Sequence, residues 1–261
     1  GCGAGAAAGT DNSGVTESQS GGNGSEPENA STDSQKLQIV ATIFPEYDWV
    51  KEILGDQADN VDLTLLLGNG TDMHSFQPTM EDILKVSTCD LFIYVGGESD
   101  SWVADALKGA GNPDRKAINL MDVLGDQVKE EELVEGMQEE DGHTHEEEHT
   151  HDDDLEYDEH VWLSLKNASL FCDTIASSLA DADPEHSQLY QQNAEAYEEK
   201  LAALDQEYQT SVEKSRSKTL LFADRFPFRY LIDDYNLTYY AAFAGCSAET
   251  DASFETITFL A

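Results

Sequence analysis

The chain is poor in positive charge. Of its 261 residues only 14 are Lys or Arg, against 53 Asp and Glu, for a formal net charge of −39 at pH 7. Nucleic-acid binding needs clustered cations to displace counterions from phosphate, so nucleic acid is excluded as a partner and cations become the natural counter-ligands. Long apolar runs are also missing. Nowhere do about 18 apolar residues follow one another, so no helix read from this sequence spans a bilayer and any membrane attachment takes another route. Cysteine is scarce, at four, and none of the close Cys pairs of structural zinc sites is present. Cys2 stands apart, and the remaining three, Cys89, Cys172 and Cys246, are odd in number and cannot all pair internally. Cys89 and Cys172 read as small buried hydrophobes. The HEEEH of residues 145–149 has the HExxH spacing of zinc hydrolases, but it lies in a stretch with no apolar residue to bury a helix face, so no HExxH helix is read here.

What is present begins with enough hydrophobic sequence, 39%, for a buried core in two modest lobes or one large domain. Residues 1–35 are a different material, a Gly, Ser, Ala, Asn and Asp tract too poor in apolar side chains to offset the entropy of ordering, and they read as a disordered leash. A Cys at position 2 heading such a leash resembles a bacterial lipoprotein after loss of its signal peptide, with Gly1 as a precursor remnant. That resemblance implies lipidation at Cys2 and a location on the outer face of the cell membrane.

Past the leash the hydrophobic period alternates. KLQIVATIFP (residues 36–45) reads as a strand ended by Pro, and YDWVKEILGD (47–56) as a helix with Val50, Ile53 and Leu54 on one face. VDLTLLLGNG (61–70) is a strand stopped by glycines, PTMEDILKVSTC (78–89) a helix, DLFIYVGG (90–97) a third strand, and KAINLMDVLG (116–125) a further strand and turn. The rhythm predicts βαβ units and a mainly parallel sheet. It is interrupted by an acidic segment, with 16 of 30 residues acidic from 130 to 159. A helical period then covers 167–180, and Asp183-Pro184 opens a long charged helix to about Ser215. KTLLFADRF, FRYLIDDYNL and TYYAAFAG follow as strand, helix and strand, and a last helix starts near the end of the sequence.

Three histidines lie outside the acidic segment. His186, at a helix start, reads as a surface residue. His74 sits in GNGTDMHSFQPT, a Gly-rich turn at the carboxyl end of a predicted strand, where open α/β sheets bind ligands. His160 sits in DEHVWLS, where order resumes, with Asp158 placed to orient its imidazole through the other ring nitrogen. Each alone is an ordinary polar loop residue. Together they are a plausible imidazole pair for zinc or a similar divalent ion.

IVATIFPEYDWVKEILGD, LLLGNGTDMHSFQPTMEDILKVSTCDLFIYVGGESDSWV and DEHVWLSLKNA resemble the substrate-binding proteins of bacterial zinc and manganese ABC importers, over residues 37–259. The resemblance implies an α/β fold of two (β/α) lobes with mainly parallel sheets, joined by a long rigid helix, with a metal ion between the lobes. It divides the chain into the leash (1–35), an N-terminal lobe (36–166) carrying an acidic His-rich loop (130–157), a connecting helix (167–183) and a C-terminal lobe (184–261). It implies His74 and His160 as the first two ligands. The family's third ligand is commonly a His after the first strand of the second lobe, and the resemblance puts Ala223 there. Asp224 is the nearest carboxylate, and Glu249 in GCSAETDAS is a further acidic candidate. Carboxylate ligands would widen the cargo from Zn2+ toward Mn2+ or Fe2+. The second lobe is expected to be incomplete at Ala261, with exposed sheet edge and poor stability as the result.

The stretch DGHTHEEEHTHDDD (141–154) holds four histidines and seven acids in fourteen residues, with no apolar anchor. It falls where zinc-type members of the family carry a His-rich loop. Mobile imidazoles and carboxylates bind divalent ions weakly, because each event must order the loop, so His143, His145, His149 and His151 read as an auxiliary trap beside the main site. The functional reading is a monomeric, lipid-tethered, non-enzymatic receptor that delivers zinc, or next manganese, to an ABC transporter permease. The alternatives are a zinc-dependent hydrolase built on His74 and His160 with an acidic third ligand, and an extracellular metal buffer or adhesin. Affinity is expected to fall as pH drops through about 6.5, the ordinary His value.

Overall fold

The computed structural model describes residues 36–68, 70–138, 156–247 and 251–261. Cys2, the four loop histidines (His143, His145, His149 and His151) and Glu249 lie outside the described residues.

The chain folds in the order β1 (Leu37–Ala41), α1 (Phe44–Leu54), β2 (Val61–Leu65), α2 (Met80–Thr88), β3 (Leu91–Tyr94), α3 (Val103–Lys108), β4 (Lys116–Asn119), α4 (Leu120–Leu124), α5 (Leu165–Ala182), α6 (Ser187–Lys214), β5 (Thr219–Phe226), α7 (Arg229–Asp234), β6 (Thr238–Ala244) and α8 (Phe254–Leu260). Local chemistry sets several of these boundaries. At the start of α1 the Glu46 carboxylate accepts the N–H groups of Thr42 (2.8 Å) and Ile43 (3.1 Å), donors that a helix start leaves without intrahelical partners. Thr79 and Asp82 cap α2 reciprocally. The Thr79 hydroxyl accepts from the Asp82 N–H at 3.2 Å, and the Asp82 carboxylate accepts from the Thr79 N–H at 2.8 Å.

The first sheet has strand order β2-β1-β3-β4, all parallel. Successive side chains of a strand point to opposite faces, and β1 shows the result: Ile39 joins a cluster with α1 and α5, while Val40 joins one with α2 and α3. The first cluster, with Val50, Ile53, Leu54, Phe171, Ile175 and Leu179, is the larger core. The second sheet is the parallel pair β5-β6, with its own small cluster of Phe226, Ile232, Tyr239 and Ala241. Its register passes from Phe222 opposite Ala241 to Arg225 opposite Phe243, so β5 carries one extra residue, a β-bulge at 223 and 224.

Two long helices lie between the sheets in sequence. The helix expected over 167–180 occupies Leu165–Ala182 and buries Phe171, Cys172, Ile175 and Leu179 in the larger core. The charged helix expected to about Ser215 is α6, of 28 residues and so roughly 42 Å long. Its N-terminal part, to just past the midpoint, puts Tyr190, Ala194 and Leu201 into the larger core. Its second half reaches α7, where Tyr235 donates to Asp205 at 2.7 Å and stacks on Tyr208 at 5.6 Å. Of the acidic segment, the described flanks are anchored. Val134 and Met137 pack on the β5-β6 cluster, the Gln138 N–H donates to the Ala242 carbonyl at 2.9 Å, and Glu130 bridges to Tyr157.

Candidate metal centre

His74 follows the carboxyl end of β2. The Asp72 carboxylate accepts the His74 N–H at 3.0 Å and so pins a short 3-10 turn over Met73–Ser75. His160 comes from the segment ahead of α5, whose first turn is capped by Ser164 accepting the Asn167 N–H at 3.2 Å. One carboxylate oxygen of Asp158 takes both the backbone N–H of His160 (2.8 Å) and its ring Nδ1–H (2.9 Å). Behind it, the Tyr230 hydroxyl of α7 donates to the Asp158 carbonyl at 2.7 Å, which braces this segment from the other half of the chain. Asp158, Glu159 and His160 are all buried. The two histidines meet with Nε2 to Nε2 at 3.3 Å.

Their partners decide which nitrogens carry protons. Asp158 can only accept, so His160 donates from Nδ1, and its neutral form keeps the lone pair on Nε2. The Ser99 hydroxyl donates to Glu159 at 2.5 Å, and the Ser99 backbone N–H donates to the other Glu159 oxygen at 2.8 Å. With its proton so committed, the Ser99 oxygen can only accept from His74 Nδ1, at 3.0 Å. His74 therefore also presents a bare Nε2. Burial, then the neighbouring His160, hold the His74 pKa below the usual imidazole value against the opposing pull of Glu159 and Asp72. In their neutral forms the two imidazoles thus face each other lone pair to lone pair, an arrangement a cation relieves. Their separation of 3.3 Å is also that of two nitrogens on one tetrahedral ion with bonds of about 2.0–2.1 Å, roughly 3.3 Å apart. Gly97 makes room for this relay, because at its φ of +74° a Cβ would run into the Glu159 carboxylate.

A third donor arrives from the turn after β6. The sulfur of Cys246 and one nitrogen each of His74 and His160 lie within 4.8 Å of one another. Gly245 allows the approach, since a Cβ there would sit 2.8 Å from the Phe226 carbonyl and 3.1 Å from the His160 ring. The Cys246 N–H donates to Glu131 at 2.9 Å, so the described root of the acidic segment braces the site. Burial, then the Glu131 carboxylate, push the Cys246 thiol well above its ordinary value. Among the described residues Cys89, Cys172 and Cys246 are all free, and Cys89 and Cys172 are packed in the cores as small hydrophobes.

The carboxylate expected nearest the site, Asp224, is exposed on the bulge of β5 and accepts the N–H of its neighbour Arg225 at 2.7 Å. It lines a cavity of about 590 Å³ together with His74, His160, Trp162 and Arg225, but is not one of the three clustered donors. Arg225 bonds to Asp72 at 3.3 Å, on the residue that pins the His74 turn. Deeper in the first lobe, Asp100 accepts the Gly96 N–H at 3.0 Å, and burial, with Glu159 adding to it, pushes its pKa up to about 6. Glu46 is raised as well, by burial and by Asp100. His186 forms a local pair with Asp183 at 2.8 Å. Of the residues singled out in the sequence, the structure brings His74, His160 and Asp158 together. Cys246, Ser99 and Glu159 went unmarked for the site, although a Gly-Cys pair at the carboxyl end of a predicted strand was a visible signal for the first.

The family described as zinc-uptake complex component A, periplasmic (ZnuA) matches residues 39–261. The zinc-binding lipoprotein AdcA of Streptococcus pneumoniae serotype 4 is 34% identical over 218 residues, which are 84% of this chain and 41% of AdcA. The high-affinity zinc uptake system protein ZnuA of Bacillus subtilis is 33% identical over 232 residues, 89% of this chain and 68% of that protein. Among solved structures, the Zn(II)-bound ZnuA-like domain of pneumococcal AdcA superposes with a TM-score of 0.64 at 28% identity, covering 86% of this chain and 73% of that one. The chain thus spans 41% of the length of the pneumococcal lipoprotein it matches.

Proposed function

The chain belongs to the ZnuA family of zinc-uptake components, and from that premise we propose that it captures a divalent transition metal outside the cell and hands it to the permease of an ABC importer. Zinc is the cargo proposed, and Mn2+ and Fe2+ are the ions it is to be tested against. The observation that carries the reading is the pair of Nε2 lone pairs held face to face at 3.3 Å by Asp158 on one side and the Ser99–Glu159 relay on the other. Such a pair is complementary to a cation, because a ligand held by hydrogen bonds alone would have to donate to both nitrogens at once.

The remaining parts of the proposal follow from that role. His74 and His160 are the ligands, Asp158 orients His160, Asp224 is a nearby acid available to assist, and Glu249 is a further acidic candidate from the sequence. His143, His145, His149 and His151 form a weak auxiliary trap. A lipid on Cys2 holds the protein, as a monomer, to the outer face of the cell membrane. Residues 36–166 form the N-terminal lobe and 184–261 the C-terminal lobe, with the helix over 167–183 between them and α6 as the rod that touches both. The role requires no covalent step, in keeping with a family described as an uptake component.

The test is a zinc titration of the full chain, of a deletion of residues 142–154, and of His74→Ala and His160→Ala. One tight equivalent, lost in either histidine variant and kept in the deletion, is the expected result, together with several weak equivalents that disappear with the loop. A tight equivalent that survives both histidine variants, or that vanishes with the loop, overturns the reading.

A further inference from the structure

We propose that Cys246 is a third metal ligand, bound as the thiolate, and that the resulting two-histidine, one-cysteine donor set makes this chain select zinc over manganese. The inference rests on the capture role assigned above to His74 and His160 and concerns the chemistry of that same site.

The first support is position. The Cys246 sulfur lies within 4.8 Å of one ring nitrogen of each histidine. Around a tetrahedral zinc, with Zn–N of about 2.0–2.1 Å and Zn–S of about 2.3 Å, nitrogen and sulfur are roughly 3.6 Å apart, so a displacement of about 1 Å in the turn after β6 completes the set. The turn is built for a close approach. Gly245 lets the backbone lie against the His160 ring, and Glu131 fixes the Cys246 N–H.

The second support is how the other donors are used. Asp158 and Glu159 are committed to orienting His160 and, through Ser99, His74. Asp224 turns to the N–H of Arg225. Arg225 itself is a cation beside the His74 turn, paired with Asp72. A divalent ion between two neutral imidazoles, close to a guanidinium, is best served by an anionic donor, and the thiolate supplies one. As the metal–sulfur bond forms, the S–H bond breaks heterolytically, the electron pair stays on sulfur and the proton leaves to the buffer, so the local charge rises by one rather than two. Cys89 and Cys172 are buried in the first-lobe clusters, away from this turn, so neither competes for Cys246 as a disulfide partner.

The consequence is selectivity. Carboxylate oxygen suits Mn2+, whereas thiolate is a soft donor that favours Zn2+ and disfavours Mn2+. A third ligand of sulfur therefore narrows the cargo that an oxygen ligand would have widened.

The test uses the full chain with one equivalent of Co2+ as a spectroscopic probe, X-ray absorption of the one-equivalent zinc form, and the variants Cys246→Ser and Cys2→Ser. Expected are a thiolate-to-cobalt charge-transfer band in the near ultraviolet and a zinc–sulfur distance of about 2.3 Å, both present in the wild type and in Cys2→Ser and both lost in Cys246→Ser. Zinc affinity in Cys246→Ser falls by about 100-fold or more, beyond the loss typical of a partner that only orients a ligand, while manganese affinity falls by less than about tenfold. The wild-type spectra decide the matter even if Cys246→Ser does not fold. A tight equivalent that depends on His74 and His160 but shows no sulfur around the metal, or a band unchanged in Cys246→Ser, refutes the thiolate and leaves the capture role standing. Absence of any tight, histidine-dependent equivalent in the wild type refutes both.

Discussion

Replacing Ser99 with Ala removes the one hydroxyl that links His74 to Glu159. Two hydrogen bonds go with it, at 3.0 Å and 2.5 Å. The carboxylate is not set adrift, because the backbone N–H of residue 99 still holds its other oxygen at 2.8 Å. Glu159 also stands 3.6 Å from His74 Nδ1, so a shift of about 0.7 Å would let it accept that proton directly at an ordinary 2.9 Å. Partners that orient metal-bound histidines typically contribute about 10–100-fold to affinity, and the fallback carboxylate puts Ser99→Ala at the low end, about tenfold or 1.4 kcal/mol. Ser99→Thr keeps the hydroxyl and is expected to stay within about threefold of wild type. The assay is competition for zinc against a chromophoric chelator near neutral pH, with thermal unfolding of the metal-free protein as a control for the fold. A loss below about threefold in Ser99→Ala, with His74→Ala still abolishing tight binding, would refute the claim that the relay fixes the His74 tautomer.

Two further predictions concern pH. Burial and His160 lower the His74 pKa, so this imidazole is neutral at and somewhat below pH 6.5. The part of zinc affinity lost to protonation of His74 is therefore expected only below that value, and so is the part of folding stability, which is complete above 6.5 and declines as pH falls through the lowered pKa. Zinc titrations and urea unfolding from pH 7.5 down to 5 read both, and a loss through His74 that is already complete at pH 6.5 contradicts the burial argument. Asp100 runs the other way. With its pKa raised from 3.8 to about 6 by burial, the folded protein holds a proton that the unfolded chain has released, so stability falls as pH rises from 3.8 to 6. Asp100→Asn keeps an acceptor for the Gly96 N–H without the buried charge, and is expected to raise metal-free stability near pH 7.5 by up to about 3 kcal/mol, with the gain vanishing near pH 4. A variant less stable than wild type at pH 7.5 in urea unfolding would show that the ionised carboxylate is worth more than its burial costs.

Much of the fold is written in local patterns. The Gly-stopped β2 and the apolar face of α1 declare themselves, because each depends on neighbours in sequence, whereas Pro45, read as the end of a strand, stands in the first turn of α1. His74 and Asp158-x-His160 are legible for a similar reason, each at a strand or helix edge where chain direction alone brings it toward the carboxyl end of the sheet. The third position was not. The resemblance puts Ala223 at that position with Asp224 beside it, whereas in the structure both lie on the bulge of β5 and the side chain that turns to Asp72 is Arg225. A bulge is set by the pairing of β5 with β6, which local alternation does not encode. The Ser99–Glu159 relay was hidden for a related reason. Its members are 60 residues apart and meet only because the turn after β3 passes the segment ahead of α5. Cys246 lay in plain view and was weighed only as a thiol in need of a partner.

The commitment of both imidazoles to the Nδ1–H tautomer before any ion arrives bears on speed. No ring has to flip and no proton has to migrate between nitrogens for the two histidines to receive a metal. Association is then governed by encounter and by the ion's shedding of its own water, steps for which a strongly anionic chain is a help rather than a barrier. Competing ions that enter at similar rates are told apart by how long each remains, and dwell time becomes the quantity on which a downstream partner can act.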